Sequence, residues 1–239
     1  HPETKKRIKQ QRAKPKAKRE ATNEFPLPVD LLKTSFTYLD CMTYVEHVLA
    51  LPSADRPEYA GAFLPRLIDV MFDAGGQPLM SHLRNHFTSH WADVNERKGY
   101  LTNMARNHPV AVSRQVLLNR VGNNRTFFVE DRFMIATAPQ TVWYFPTRTV
   151  LAGKAPLVSG DVLALVCDKE GLDVTHMAFY IEQAGKKLFR HASLTLNRVV
   201  DQDFMAYVGA RKDLLGLIVL RPRLAAPVPP SYTSVAKGK

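Results

Sequence analysis

The order of the hydrophobic patterns constrains this chain most. From Cys41 to about Arg120 apolar residues recur at helical spacing: Met42, Val45, Val48 and Leu49 form one stripe, "FLPRLIDVMF" continues in that style, and Ser113 to Asn119 resumes it. From about Phe127 the pattern changes to short runs rich in β-branched and aromatic residues: "TVWYFP", "DVLALVC", "HMAFYIE", "KLFRHA" and "LGLIVLRP", punctuated by Gly and Pro. Helices first and strands second predict an α+β fold with an antiparallel sheet, not a βαβ alternation.

With 239 residues, 45% of them hydrophobic, the chain is long enough for one substantial core. Residues 25–222 are expected to form a single domain, entered through the extended "NEFPLPVD" and a short helix near Leu31. Residues 223–239 are a Pro-rich tail without a core pattern, and residues 1–24 a basic tail expected to be disordered. No apolar run of eighteen or more residues occurs and the first residues are charged, so neither a membrane span nor a signal peptide is expected in this chain. A first residue that is His, not Met, is expected from either processing or a trimmed chain, and leaves the compartment open.

The net charge of +11 invites a nucleic-acid reading, but nine Lys and Arg against two Glu in the first twenty residues supply most of it. The rest of the surface is expected to be an ordinary solvated one, and no RNA-binding aromatic motif or Gly-rich phosphate loop appears. A polyanion is the expected partner of the tail: nucleic acid, anionic lipid or an anionic cell-wall polymer. Composition does not choose among these.

Cys41 and Cys167 are the only cysteines, which excludes a disulfide framework and a Cys-rich metal site within one chain. In "YLDCMTYVEHVLAL", Asp40 is a good N-cap, so Cys41 falls in the first helical turn. Unpaired amides and the helix dipole there favour the thiolate and lower its pKa. A nucleophile needs a base. His47, six residues on at about 100° each, lies about 240° around the helix from Cys41 and is excluded. The base must come from elsewhere.

"GLDVTHMAFYIEQAGKKLFRHASL" reads as a hairpin. A two-residue turn at Ala184 and Gly185 pairs Gln183 with Lys186, so paired numbers sum to 369 and His191 faces Ala178. His176 and His191 then become diagonal neighbours with Cα atoms roughly 7–8 Å apart, whereas an odd loop length would put them on opposite faces. The arrangement nominates Cys41 as nucleophile, His176 as base and His191 as the residue that orients it, with two satisfied structural histidines as the alternative. Two other groups compete. His82, His86 and His90 fall at i, i+4 and i+8, a stripe suited to zinc on a helix, but Leu83 and Phe87 stand where the zincin pattern needs a Glu. A structural metal or plain surface histidines stay open there. Asp168 and Asp173 flank "KEGL" and are expected to be a solvated turn.

"LDCMTYVEHVLAL", "LRNHFTSHW", "VSGDVLALVCDKEGLDVTHMAFYIEQAGKKLFRHASLTLNRVV" and "LLGLIVLRP" resemble, in order and approximate spacing, the N-acetylmuramoyl-L-alanine amidase-like branch of the NlpC-type, papain-fold cysteine peptidases. The resemblance runs from about Leu39 to Pro222. It implies N-terminal helices carrying the Cys, packed on a C-terminal antiparallel sheet carrying the histidines. It also implies a triad of Cys41, His176 and His191 that needs no metal or cofactor. It further nominates His86 and Trp91 as cleft residues and Tyr38 as a weaker one.

The implied substrate is peptidoglycan, cut between N-acetylmuramic acid and L-alanine, or, in other NlpC-type enzymes, between D-glutamate and diaminopimelate. Acyl transfer on lipids belongs to distant relatives of the same fold, and a non-catalytic cell-wall or polyanion binder is the reading without chemistry. A peptidoglycan substrate implies a periplasmic or secreted protein of a bacterial envelope, with no specific nucleic-acid partner. Met42 and Tyr44 replace smaller or differently shaped residues of relatives.

Overall fold

The strand-forming runs of the second half assemble into one sheet because their alternate residues find two different cores. In this computed structural model, residues 35–51, 63–75, 83–122, 125–126 and 137–223 are described. The basic tail, the short helix expected near Leu31 and nearly all of the Pro-rich tail lie outside them. Three helices come first: α1 (Cys41–Ala50), α2 (Phe63–Met71) and α3 (Thr88–Arg97). Then follow β1 (Leu101–Asn103), β2 (Val112–Leu118), β3 (Arg120–Val121), β4 (Arg125–Thr126), β5 (Ala138–Pro146) and α4 (Thr147–Leu151). The chain continues through β6 (Val162–Lys169), β7 (Leu172–Gln183), β8 (Lys186–Ser193), β9 (Arg198–Asp203), α5 (Phe204–Gly209) and β10 (Leu214–Pro222).

The main sheet has the order β2-β5-β10-β6-β7-β8-β9, with β1 also on β10, and every pair in it is antiparallel. The expected α+β class with an antiparallel sheet therefore holds. On β6, Val162, Ala164 and Val166 face the helices α1 and α3, while Leu163 and Leu165 face α4 and α5. The same division runs through β10 and β7: Ile218, Leu220, Met177 and Phe179 on one side, Leu217, Val219, Ala178 and Tyr180 on the other. A strand buried on both faces reads as a continuous apolar run, which is why "VLALVC" shows no alternation. Gly216 is demanded by close approach: a Cβ there would press on the backbone oxygen of Phe145, its neighbour across β5.

Two expectations fail in the helical half. Ser113 to Asn119 is not helix but most of β2, paired along its length with β5 from Val112↔Tyr144 to Leu118↔Ala138. Only Val116 and Leu118 are buried, a period of two that Leu117, which is exposed, obscures in the sequence. In α1, Val48 is exposed, and the buried face is Val45, Glu46, His47 and Ala50. A buried ion pair and a buried imidazole take places that the pattern assigned to aliphatics. Strands accordingly begin near Leu101, well before Phe127.

Candidate active site

Helix α1 starts where Asp40 caps it. Asp40 Oδ1 accepts the Thr43 amide at 2.7 Å, Thr43 Oγ1 accepts the Asp40 amide at 2.8 Å, and the Tyr44 amide donates to the Asp40 carbonyl at 2.9 Å. This reciprocal box satisfies the third and fourth amides of the helix and leaves the first two, those of Cys41 and Met42, without an intrahelical partner. Both lower the pKa of the Cys41 thiol, and a third amide, that of Met177 on β7, lowers it most. Cys41 is thus held between its own helix start and the strand that carries His176. It is a free thiol, half-buried, as Cys167 is free and buried on β6.

The hairpin forms as the turn residues dictate. Ala184 and Gly185 have φ of 49° and 74°, the left-handed pair of a type I′ turn, and the register runs from Gln183↔Lys186 to Phe179↔Arg190, each pair summing to 369. His176 and His191 meet at its open end, Nε2 of the first 2.7 Å from Nδ1 of the second. A bulge on β7 helps to set this place: β6 pairs Leu165 with His176 but Val166 with Val174, so Thr175 is the extra residue. The bulge lets Val174 and Leu172 share a face with Met177 and Phe179. Phe189 stacks on Tyr207 at 4.0 Å and both rings lie against His191, forming an aromatic floor.

The electrostatics depart from expectation. Burial pushes the Cys41 thiol above its ordinary pKa; the Met177 amide opposes this and the Asp40 carboxylate adds to it. Desolvation outweighs the helix terminus, so the expected lowering does not occur. His176 is driven down to about 4, first by burial, then by the neighbouring His191 and Arg211, with Asp40 pulling the other way. Both shifts favour the uncharged forms. At neutral pH the site therefore holds a thiol and a neutral imidazole, and the proton must move during attack.

The remaining nominated residues are less central. Trp91 has no exposed surface and packs among Val45, Phe87 and Tyr100, so it lines no cleft. His86 is half-buried in the extended segment before α3, and Tyr38 is exposed ahead of α1. The zinc stripe does not form: α3 begins only at Thr88, His90 is exposed on it, and His82 lies outside the described residues. His47 points away from the thiol as predicted, its Nδ1 donating to the Thr43 carbonyl at 2.7 Å and its ring against Phe36 and Phe63.

Asp168 is exposed and pairs with Arg114, but Asp173 is not a solvated residue. It is buried, and its carboxylate accepts the Ser89 amide at 2.6 Å, capping α3 from the sheet where Phe87 has no capping side chain. Gln202 on β9 escaped notice in the sequence; its Oε1 lies 2.8 Å from His191 Nε2. A cavity of about 510 Å³ runs along the flank of α1 between Tyr44, Leu49, Phe179 and Arg190. It touches the site only through Tyr44, one turn beyond Cys41, and holds none of the three reacting side chains.

Known proteins share this fold. The family model described as AmiA-like, N-acetylmuramoyl-L-alanine amidase-like, matches residues 20–216. The fold is similar to the crystal structure of an N-acetylmuramoyl-L-alanine amidase from Bacteroides uniformis: TM-score 0.67, 22% identity, 84% of this chain and 91% of that one covered. It is also similar to a Legionella pneumophila protein of the DUF1460 family, with TM-score 0.60, 21% identity, and 81% and 77% covered. A candidate xylanase from Bacteroides fragilis aligns with TM-score 0.62 and 24% identity over 76% and 86%. No curated protein matches the sequence.

Proposed function

We infer the function from one premise: the chain belongs to the N-acetylmuramoyl-L-alanine amidase-like family. We propose that it is a cysteine hydrolase of the NlpC-type, papain-like class that cuts the amide between N-acetylmuramic acid and L-alanine in peptidoglycan fragments. The observation that carries this reading is the junction at β7. The Met177 amide lowers the pKa of the Cys41 thiol, and the residue before it, His176, is hydrogen-bonded to His191. In this reading a thiol, a base and an orienting group come together from three separate elements.

In the proposed reaction the Cys41 S–H bond breaks as sulfur attacks the amide carbonyl, and His176 takes the proton. The negative charge that develops on the carbonyl oxygen is met by the amides at the start of α1, which no helical acceptor uses. His176 then protonates the leaving nitrogen, the C–N bond breaks, and a thioester remains on Cys41. Water, deprotonated by His176, attacks the thioester and restores the thiol. Nothing in these steps distinguishes one amide from another; the choice of bond belongs to the walls around Tyr44 and the half-buried His86.

The test is incubation of the wild type and Cys41→Ala with purified muropeptides, with products identified by mass spectrometry. Free disaccharide and an intact stem peptide from the wild type only are expected. Cleavage between D-glutamate and diaminopimelate would reassign the bond while keeping the chemistry. Identical traces from both proteins would leave a non-catalytic cell-wall or polyanion binder as the reading.

A peptidoglycan substrate places the protein, in this proposal, in the periplasm or outside a bacterial cell. The basic residues between Lys5 and Arg19 are proposed to hold it to an anionic wall polymer or lipid. Deleting residues 1–20 then weakens polyanion binding at low salt and leaves turnover of a small soluble muropeptide intact.

A further inference from the structure

Strand β9 brings Gln202 to the far side of the histidine pair. In the β8–β9 register Gln202 stands opposite Phe189, Asp201 opposite Arg190 and Val200 opposite His191. Gln202 is therefore the diagonal neighbour of His191 on the same sheet face, as His191 is of His176 one strand further in. The register is clamped one residue away. Arg190 and Asp201 form a bidentate pair, Nε to Oδ1 at 2.7 Å and a terminal guanidinium nitrogen to Oδ2 at 2.8 Å. The result is a continuous line of two contacts, Gln202 Oε1 to His191 Nε2 at 2.8 Å and His191 Nδ1 to His176 Nε2 at 2.7 Å, ending one residue before Met177, whose amide lowers the pKa of Cys41.

We propose that Gln202 is a positioning residue that sets the tautomers of both imidazoles and so makes Nδ1 of His176 the base. An amide oxygen only accepts hydrogen bonds, so Nε2 of His191 must carry its hydrogen. A neutral imidazole has one N–H, which leaves a lone pair on His191 Nδ1. Across 2.7 Å that lone pair requires a donor, and Nε2 of His176 is the only candidate. The hydrogen of His176 is then on Nε2 and its lone pair on Nδ1, the nitrogen left for Cys41. When the thiol proton moves to Nδ1, the S–H bond breaks and an N–H bond forms. The new imidazolium keeps its Nε2–H on His191, so no other bond in the line has to change.

A residue that accepts without charge fits this chain. A carboxylate at the same place would draw positive charge onto the imidazoles and narrow, from the acid side, the pH range in which His176 is a neutral base. Gln202 lies on an outer strand with an exposed backbone run, so its replacement leaves the core untouched.

The inference rests on the cysteine-hydrolase reading, and its test separates the two. In protein labelled with ¹⁵N-histidine, the imidazole nitrogen shifts at neutral pH are expected to show His176 and His191 each as the Nε2–H tautomer. In Gln202→Leu, with unchanged circular dichroism, both are expected to become mixtures. This arm uses no substrate, so it decides the proposal even for a protein that hydrolyses nothing. With muropeptide, Gln202→Leu is expected to lower kcat by at least about tenfold with KM within about twofold. Gln202→Glu, which still accepts, is expected to recover kcat at neutral pH and to move the acid limb of the profile upward. An Nδ1–H tautomer at His176 in the wild type, unchanged tautomers in Gln202→Leu, or mixed tautomers with unchanged kcat would each overturn it.

Discussion

The rings of His176 and His191 meet edge to face, their centroids 4.8 Å apart at an interplanar angle of 88°, with a 2.7 Å contact between nitrogens. A pair this close holds at most one positive charge comfortably, because protonating either ring places a cation against the other. Burial adds to the same effect at His176. His176 is thereby kept neutral at the pH where a thiol needs a base.

The acid limb of activity follows from that neutrality. His176, lowered to about 4, stays unprotonated through the neutral range, so kcat/KM should fall only on the acid side, with a midpoint near 4. His191→Ala removes the neighbouring imidazole and opens the site to water, which returns His176 toward its ordinary 6.5. The limb should then move up by about one unit or more, and kcat should drop by roughly 10²-fold as orientation is lost. A pH–rate series on both proteins reads this directly. A limb that stays put would show that His191 does not act on His176 electrostatically.

Asp40 offers a cleaner probe of the thiol. Its carboxylate raises the Cys41 pKa, yet its cap needs only an oxygen acceptor, and Asn caps a helix as well as Asp. Asp40→Asn should therefore leave thermal stability within about 0.5 kcal/mol and speed iodoacetamide labelling of Cys41 severalfold at neutral pH. Peptide mapping keeps buried Cys167 out of the count. Equal labelling rates would mean that burial alone governs the thiol.

Close backbone approach makes Gly216 a stability determinant remote from the chemistry. An alanine methyl there meets the Phe145 backbone oxygen and the Tyr144 ring, and backbone cannot swing aside as a long side chain can. Gly216→Ala should cost about 2–3 kcal/mol in urea unfolding by separating β5 from β10. A loss below about 0.5 kcal/mol would show that the two strands part freely at this point.

Much of the site was legible because local rules and tertiary need coincide there. The Asp40 cap, the Ala-Gly turn and the alternation on both sides of it determine where Cys41, His176 and His191 stand, and each is a short-range signal. What escaped depends on contacts distant in sequence. Gln202 sits in "RVVDQD", an edge strand with so little to bury that no hydrophobic pattern marks it; Asn197, at φ 51° in the preceding turn, is its one local cue. Trp91 was nominated for the cleft by the resemblance alone; helix packing, the equally open reading, is what the structure shows, and a sequence does not say which side of a helix is covered. Asp173 looked solvated because the helix start it caps lies 84 residues earlier. The thiol pKa was misjudged for a related reason: the helix start is visible in sequence, whereas the strands that bury the sulfur are not.

Glu46 lies in the wall behind the nucleophile and couples α1 to pH. It is fully buried, Oε2 sits 2.8 Å from Arg84, and Arg84 is held by the Met71 and Asn85 carbonyls at 3.0 and 2.8 Å. Burial raises its carboxyl to about 7 despite Arg84. A folded-state pKa above the unfolded value means that the native protein holds the proton more firmly, so stability is present below about 4.5 and lost as pH rises through about 7. His176 has the opposite sign: lowered from 6.5 to about 4, it contributes stability above 6.5 that is lost as pH falls through about 4. In the wild type the two slopes oppose each other across most of that window. Glu46→Gln keeps an acceptor for Arg84 and removes one slope. Its urea midpoint relative to wild type should climb between pH 4.5 and 7, by an amount on the order of 3 kcal/mol at most. A difference between the two proteins that is constant over this range would place the Glu46 pKa in the ordinary carboxylate region and remove α1 from any role in pH sensing.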